Sequence, residues 1–260
     1  MPVSIITRAY KTSELKNLIE NLNLDNEIEK EIIAVCNVYD YKPENTKLII
    51  ENSNRFEARI SGIRISKHDR VLFLDSDQIP EMGLLSELDR TEKAMVVIPE
   101  RSISDNFTSR CLDDWRLRNE TLASKKFTPY IPVIPRFYAK KYLINGIEKI
   151  TSDVVKIIDH EDSILYFYIY QETMDVGICK KHIYNNDPNF INLMRKAFLY
   201  GRNNANIKNL NIPEEISYLL YELNINTLNV KNLGFGKGYV IQTLRSLSYE
   251  LGRIFTHLKG

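Results

Sequence analysis

The sequence predicts an α/β fold: a mostly parallel central sheet flanked by helices, followed by a C-terminal helical extension. Three observations carry this expectation. The first hundred residues alternate short apolar runs with helical patterns. The runs are apolar throughout rather than at every second position, as strands buried on both faces require. Residues 188–260 then show only helical periodicity.

Taken in order, the apolar runs are VSIIT (3–7), EIIAVCN (31–37), LIIE (48–51), VLFLD (71–75) and MVVIP (95–99), with helices expected near 12–23 and 55–66. Between 100 and 187 the pattern changes to a polar helix near 104–123, a strand near 132–138, an aromatic helix beginning at Glu161 and a strand near 176–184. Three helices follow, at 188–203, 213–224 and 238–258. No internal repeat or low-complexity linker interrupts the chain.

Bulk properties narrow the function classes. A chain of 260 residues can bury one good-sized core. With 43% hydrophobic and 27% charged residues it falls outside the disordered and fibrous classes. The net charge of +1 hides an asymmetry: residues 188–260 hold nine Lys or Arg against four Glu, so a basic tail follows an acidic body. Cys36, Cys111 and Cys179 are odd in number and far apart, without zinc or redox spacing, and read as reduced thiols of a cytosolic protein. The N-terminus reaches polar residues too early for a targeting segment, and no apolar run is long enough to span a bilayer.

In open sheets of this kind ligands bind beyond the carboxyl ends of the strands, here Thr7, Asn37 and Asp75. The first glycine is Gly62, so the turn after the first strand lacks the glycines that let backbone N–H groups approach phosphate. Dinucleotide-binding and phosphate-loop readings are thereby excluded. The sharpest signal is VLFLDSDQIP, where a strand ends in Asp75-Ser76-Asp77. Two acids one residue apart point the same way in a pleat and concentrate negative charge. A hard divalent ion, Mg²⁺ or Mn²⁺, bridging Asp75 and Asp77 to a diphosphate would compensate it. The alternative is a solvated turn with helix-capping acids.

The context of this motif resembles glycosyltransferase family 2 over roughly the first 200 residues. VSIITRAY is similar to its opening strand and loop, NSNRFEARISGIRISKHDRVLFLDSDQIP to its arginine-bearing helix and Asp-x-Asp strand, and PRFYAKKYL to its second-half strand and helix. DHEDSILYFYIY resembles its Glu-Asp helix start, and IYNNDPNFINLMRKAFLYGRN the segment that follows in many lipid-oriented members. The resemblance implies a GT-A fold, with residues 1–99 as the nucleotide-sugar-binding half, 100–187 as the acceptor-binding and catalytic half, and 188–260 as a helical basic extension.

The resemblance also implies roles. Thr7 and Tyr10 fall where the first loop touches the base, Arg59 on the helix that approaches the nucleotide, Asp75 near the ribose and Asp77 on the metal. Asp162 matches the general base of an inverting transfer, with Glu161 in support. A carboxylate there would take the proton of an acceptor hydroxyl as the sugar bond forms; its alternative role is stabilising a helix N-terminus. The implied donor is a UDP- or GDP-sugar.

Three departures stand out. Cys36 and Asn37, with Asp40 displaced, replace the acid that usually ends the second strand. Asn185, Asn186 and Asp187 occupy the usual place of a metal-binding histidine. The Gln-x-x-Arg-Trp signature of processive synthases is missing, which favours transfer of a single sugar. Two other functions compete with transfer. One is a sugar-nucleotide-binding protein without turnover. The other is a haloacid-dehalogenase-type phosphohydrolase, which wants Thr or Val at Ile79 and a later metal motif absent here.

Other features are less specific. His68, His160, His182 and His257 show no metalloprotease spacing. LYFYIYQ reads as core more than as a sugar-stacking surface, while Trp115 is a candidate for an acceptor groove. In the last helix Ile241, Leu244, Leu247, Leu251, Ile254, Phe255 and Leu258 form one stripe. Two expectations remain open for it: packing on the catalytic domain or a partner subunit, or peripheral contact with an anionic membrane that presents a lipid-linked acceptor. Nothing in the sequence suggests nucleic acid as a partner.

Overall fold

The structure is a computed structural model that describes residues 1–25, 27–36, 46–157, 160–205, 207–227 and 236–257. Its elements in chain order are β1 (Val3–Ala9), α1 (Thr12–Leu24), β2 (Lys30–Cys36), β3 (Thr46–Ile50), α2 (Arg55–Ile65), β4 (Arg70–Asp75), β5 (Gln78–Pro80), α3 (Leu84–Asp89), β6 (Met95–Val97) and β7 (Glu100–Ser102). There follow α4 (Phe107–Ala123), β8 (Pro135–Ala139), α5 (Lys140–Glu148), α6 (Glu161–Tyr170), β9 (Val176–Ile178), β10 (Ile183–Asn185), α7 (Phe190–Asn204), α8 (Glu214–Thr227) and α9 (Lys237–His257).

Chain contacts divide these into two compact units that interleave along the sequence. The first comprises residues 1–101, 134–150 and 165–185; the second comprises 102–133, 151–164 and 186–260.

The first unit holds a seven-stranded sheet in the order β3-β2-β1-β4-β8-β6-β9. β3, β2, β1 and β4 run parallel, β8 is antiparallel to both β4 and β6, and β9 is parallel to β6. The sheet is therefore mostly parallel and helix-flanked, as its continuous apolar runs predict. Along β1, Val3, Ile5 and Ala9 join a core with Leu15, Leu18 and Leu22 of α1 and with Leu84, Leu85 and Leu88 of α3. The intervening Ile6 faces α2, where Gly62 leaves room that a Cβ would take from Ile6, 2.5 Å away. The first glycine of the chain thus serves close helix–sheet packing rather than phosphate binding.

Local chemistry refines several boundaries. α2 starts with a capping box in which Asn54 and Glu57 satisfy each other's backbone N–H groups. α4 starts at Phe107 rather than 104 because the Asn106 side chain accepts from Ser109 N–H. The strand expected near 176–184 is two strands: β9 joins the large sheet, while β10 pairs antiparallel with β5 in a three-stranded sheet ordered β5-β10-β7.

One half-buried acid makes stability depend on pH. Glu31 accepts from Ser4 Oγ at 2.6 Å and from Lys67 N–H, and its other oxygen lies 2.7 Å from Lys47 Nζ. Burial alone would raise its pKa, but these partners outweigh burial and hold it down at about 2. A depressed carboxylate pKa contributes stability above its unfolded value of 4.5, and that contribution is lost as pH falls toward 2. Discounted for solvent screening, Glu31→Gln is expected to cost about 1 to 2 kcal/mol at neutral pH. Melting temperatures of variant and parent should converge toward the acid end of that window; a constant difference would show that the charge contributes nothing.

In the second unit, α9 packs on α7 and on α4, with Cys111, Leu112, Leu193 and Ile241 forming a small core. The α9 N-terminus is closed by Asp114, whose carboxylate accepts from Gly238 N–H at 2.9 Å. Of the apolar stripe expected in this helix, only Ile241 is buried; Leu244, Leu247, Leu251, Ile254 and Phe255 are exposed. Leu258 lies outside the described residues. No helix among the described residues is long and apolar enough to cross a membrane.

Candidate functional site

The carboxyl edge of the parallel strands gathers most of the residues singled out in the sequence. Thr7 pairs in register with Leu74 of β4 and with Ala34 of β2; it is buried, and its Oγ1 has no hydrogen-bond partner among the described residues. The next residue, Arg8, is the register partner of Asp75. Arg8 donates to Ser53 C=O at 3.0 Å, and its guanidinium lies 4.8 Å from the ring centroid of Tyr10, which is 61% exposed. A broad aromatic face with a cation behind it is thereby presented to solvent at the end of β1. Asn37 and Asp40, expected to follow β2, lie outside the described residues.

Asp75 is the electrostatic centre of this edge. Its Oδ1 is 3.7 Å from Arg59 Nη2 and its Oδ2 is 3.5 Å from Arg136 Nη1. Arg59 is buried on α2 one turn before Gly62, so the close approach of that helix to β1 brings the guanidinium to the strand end. There it rests 5.4 Å from the Phe73 ring, which in turn packs edge-on against Tyr138.

Arg136 belongs to a closed ring of polar contacts. It donates to Glu100 Oε1 from Nε at 3.1 Å and from Nη2 at 2.7 Å. Glu100 Oε2 accepts from Asn185 Nδ2, and Asn185 Oδ1 accepts from Gln78 Nε2, both at 2.9 Å. Gln78 Oε1 completes the ring by accepting from Asp75 N–H at 2.9 Å. Burial alone would lower the Arg136 pKa, but the Glu100 and Asp75 carboxylates more than reverse this, so the guanidinium stays charged.

Asp77 stands apart from that ring, exposed in the turn between β4 and β5. Lys11 Nζ is 2.5 Å from Glu14 Oε1; this hydrogen bond, then the Glu14 charge, and further off that of Asp77, raise the Lys11 pKa. Ser76 Oγ contacts Glu14 at 3.4 Å. A divalent ion suits the hard oxygen donors here, and the exposed Asp77 carboxylate is the better placed of the pair, because both Asp75 oxygens face guanidinium groups. Among the described residues no group of three or more His, Cys, Asp or Glu forms a metal-binding cluster.

Asp162 lies in the second unit, half-buried in the first turn of α6 beside the buried Glu161. Two of the three residues at the usual histidine position have other partners: Asn185 is held in the ring, and Asp187 makes a two-point contact with Arg116 at 2.7 and 2.9 Å. Arg8, Gln78, Glu100 and Arg136 are site residues that sequence reasoning passed over. Their one signal is polarity inside apolar strands or directly after them, as in PRFYA and DSDQIP.

The mostly parallel, helix-flanked sheet is the fold of GT-A-type glycosyltransferase structures, which this chain matches in fold. The solved structures it is similar to include S. aureus TarS. One TarS structure matches with a TM-score of 0.56 at 14% identity, covering 88% of this chain and 44% of that one. TarS 1–349 matches with a TM-score of 0.56 at 14% identity, covering 97% of this chain and 81% of that one. The complex of TarS 1–349 with UDP-GlcNAc matches with a TM-score of 0.54 at 12% identity, covering 100% and 91%. No family model matches the sequence, and no curated protein matches it.

Proposed function

We propose that this chain is an inverting glycosyltransferase that moves one sugar from a nucleotide-diphosphate donor, a UDP- or GDP-sugar, to an acceptor hydroxyl. The observation that carries this reading is the acid pair after β4, with Asp75 clamped between Arg59 and Arg136 and Asp77 exposed two residues on. TarS structures include complexes with UDP and UDP-GlcNAc, which supports trying a uridine donor first. In this reading the base stacks on the exposed Tyr10, and Asp75 accepts from the donor's hydroxyls. Asp77 would hold Mg²⁺ or Mn²⁺, and such an ion would neutralise charge on the departing diphosphate. Asp162 takes the proton of the attacking hydroxyl, and the buried Glu161 fixes the helix turn that carries it.

Two measurements test the assignment. Thermal shift across UDP-, GDP- and dTDP-sugars should show a rise with one donor that grows with Mn²⁺. Asp77→Ala should remove the Mn²⁺-dependent part while the protein stays folded; unchanged Mn²⁺-dependent affinity in a folded variant rejects the role of Asp77. Asp162→Asn should keep donor binding and slow nucleotide release during turnover by a factor on the order of 10² or more. Equal loss of binding and turnover would make Asp162 a helix-capping residue instead.

A further inference from the structure

The three strands of the small sheet each contribute one link to a line of hydrogen bonds that ends on the acid-bearing turn. β7 supplies Glu100, β10 supplies Asn185 and β5 supplies Gln78, and Asn185 and Gln78 are register partners where β10 pairs with β5. From Gln78 the line reaches Asp75 N–H, so the side chain that directly follows Asp77 folds back across Ser76 and Asp77 and clasps the start of their turn. Gln78 and Ser76 are buried, and Asp77 is the exposed residue of the clasp.

A side-chain amide can present either its oxygen or its nitrogen, but the two ends of this line leave no choice. Asp75 N–H can only donate and the Glu100 carboxylate only accepts. Gln78 must therefore turn Oε1 to Asp75 and Nε2 to Asn185 Oδ1, and Asn185 must turn Nδ2 to Glu100. Reversing either amide would set donor against donor and oxygen against oxygen. Glu100 is itself held by two hydrogen bonds from Arg136. The turn is thus gripped from outside by a side chain that has a single orientation.

We propose that Gln78, oriented by Asn185, is a positioning residue that holds the Asp75–Asp77 turn in the arrangement from which Asp77 meets a metal-bound diphosphate. The proposal rests on the transferase reading above. Hydrogen exchange at the Asp75 amide, followed without any ligand, should speed up at least about fivefold in Gln78→Met, the factor that one lost hydrogen bond of ordinary strength represents. With UDP and GDP as probes, Gln78→Met should also reduce by about fivefold the factor by which Mn²⁺ tightens nucleotide binding. A merely structural loss would weaken binding equally with and without the ion. Asn185 hydrogen-bonds to neither acid among the described residues, yet Asn185→Ala should act in the same direction on both readouts. The double variant should lose no more than Gln78→Met alone, because both changes act through one line. Unchanged exchange at Asp75, an undiminished Mn²⁺ effect in folded Gln78→Met, or additive losses in the double variant overturn the proposal. A parent protein in which Mn²⁺ tightens neither nucleotide rejects the role given to Asp77, and this proposal with it, even where exchange at Asp75 speeds up.

Discussion

Arg136→Met is expected to destabilise the protein by about 3 to 5 kcal/mol, the usual cost of removing one partner from a buried ion pair. At about 2 to 4 °C per kcal/mol for a chain of this size, the melting temperature should fall by roughly 10 °C. Arg136 is nearly buried, donates twice to Glu100 and faces Asp75. Methionine fills much of the volume but, among the described residues, leaves the Glu100 carboxylate with Asn185 alone and the Asp75 carboxylate with one guanidinium fewer. Arg136→Lys keeps the charge without the two-point fork, so an intermediate loss is expected. Donor affinity should fall in whichever variant remains folded, since Asp75 is then less firmly held. A melting temperature within about 2 °C of the parent would mean that the Arg136 contacts contribute little to stability.

Gly201→Ala is the second large effect, although alanine favours helix by about 1 kcal/mol over glycine. A Cβ on Gly201 would sit 1.9 Å from Tyr249 C=O, and one on Gly252 would sit 2.1 Å from Phe198 C=O. Both obstacles are backbone, so no side chain can rotate away; α7 and α9 must separate along their contact. A net loss of about 3 kcal/mol or more is expected, at the upper end of overpacking costs. Faster amide exchange should be confined to α7 and α9. Gly83→Ala is the control: its φ of 80° disfavours a side chain, yet a Cβ there meets nothing closer than 3.8 Å. A loss of only about 1 kcal/mol is expected there. Equal effects at the two positions would contradict the close helix contact.

Much of the first unit was legible because burial on both faces forces continuous apolar runs, and β1, β2 and β4 follow those runs within two residues at either end. The Asp75-Ser76-Asp77 motif was legible for a related reason: an abrupt change from Leu74 to acids marks where a buried strand emerges. α3 and the short strands β5 and β7 were missed because three to six residues carry too little periodicity to register. The distribution of the helices was missed as well. α4 and the first turn of α6 fold with the C-terminal helices, although strands of the first unit stand between them in sequence.

The sequence by itself determined that this chain forms a mostly parallel sheet, that its acids cluster where β4 ends, and that its last helix carries an apolar stripe. Each is a matter of local pattern, which hydrophobic burial converts directly into strand or helix. Only the tertiary structure decided what Asp75 faces. β8 runs antiparallel beside β4 and delivers Arg136, β10 delivers Asn185, and β7 delivers Glu100, so a ring closes across segments more than a hundred residues apart. Only the tertiary structure, too, decided which side of α9 is covered. Periodicity fixes where a stripe lies on a helix, but not whether the core claims it. Here Gly201 and Gly252 let backbone meet backbone, and that contact, rather than leucine burial, turned the stripe outward.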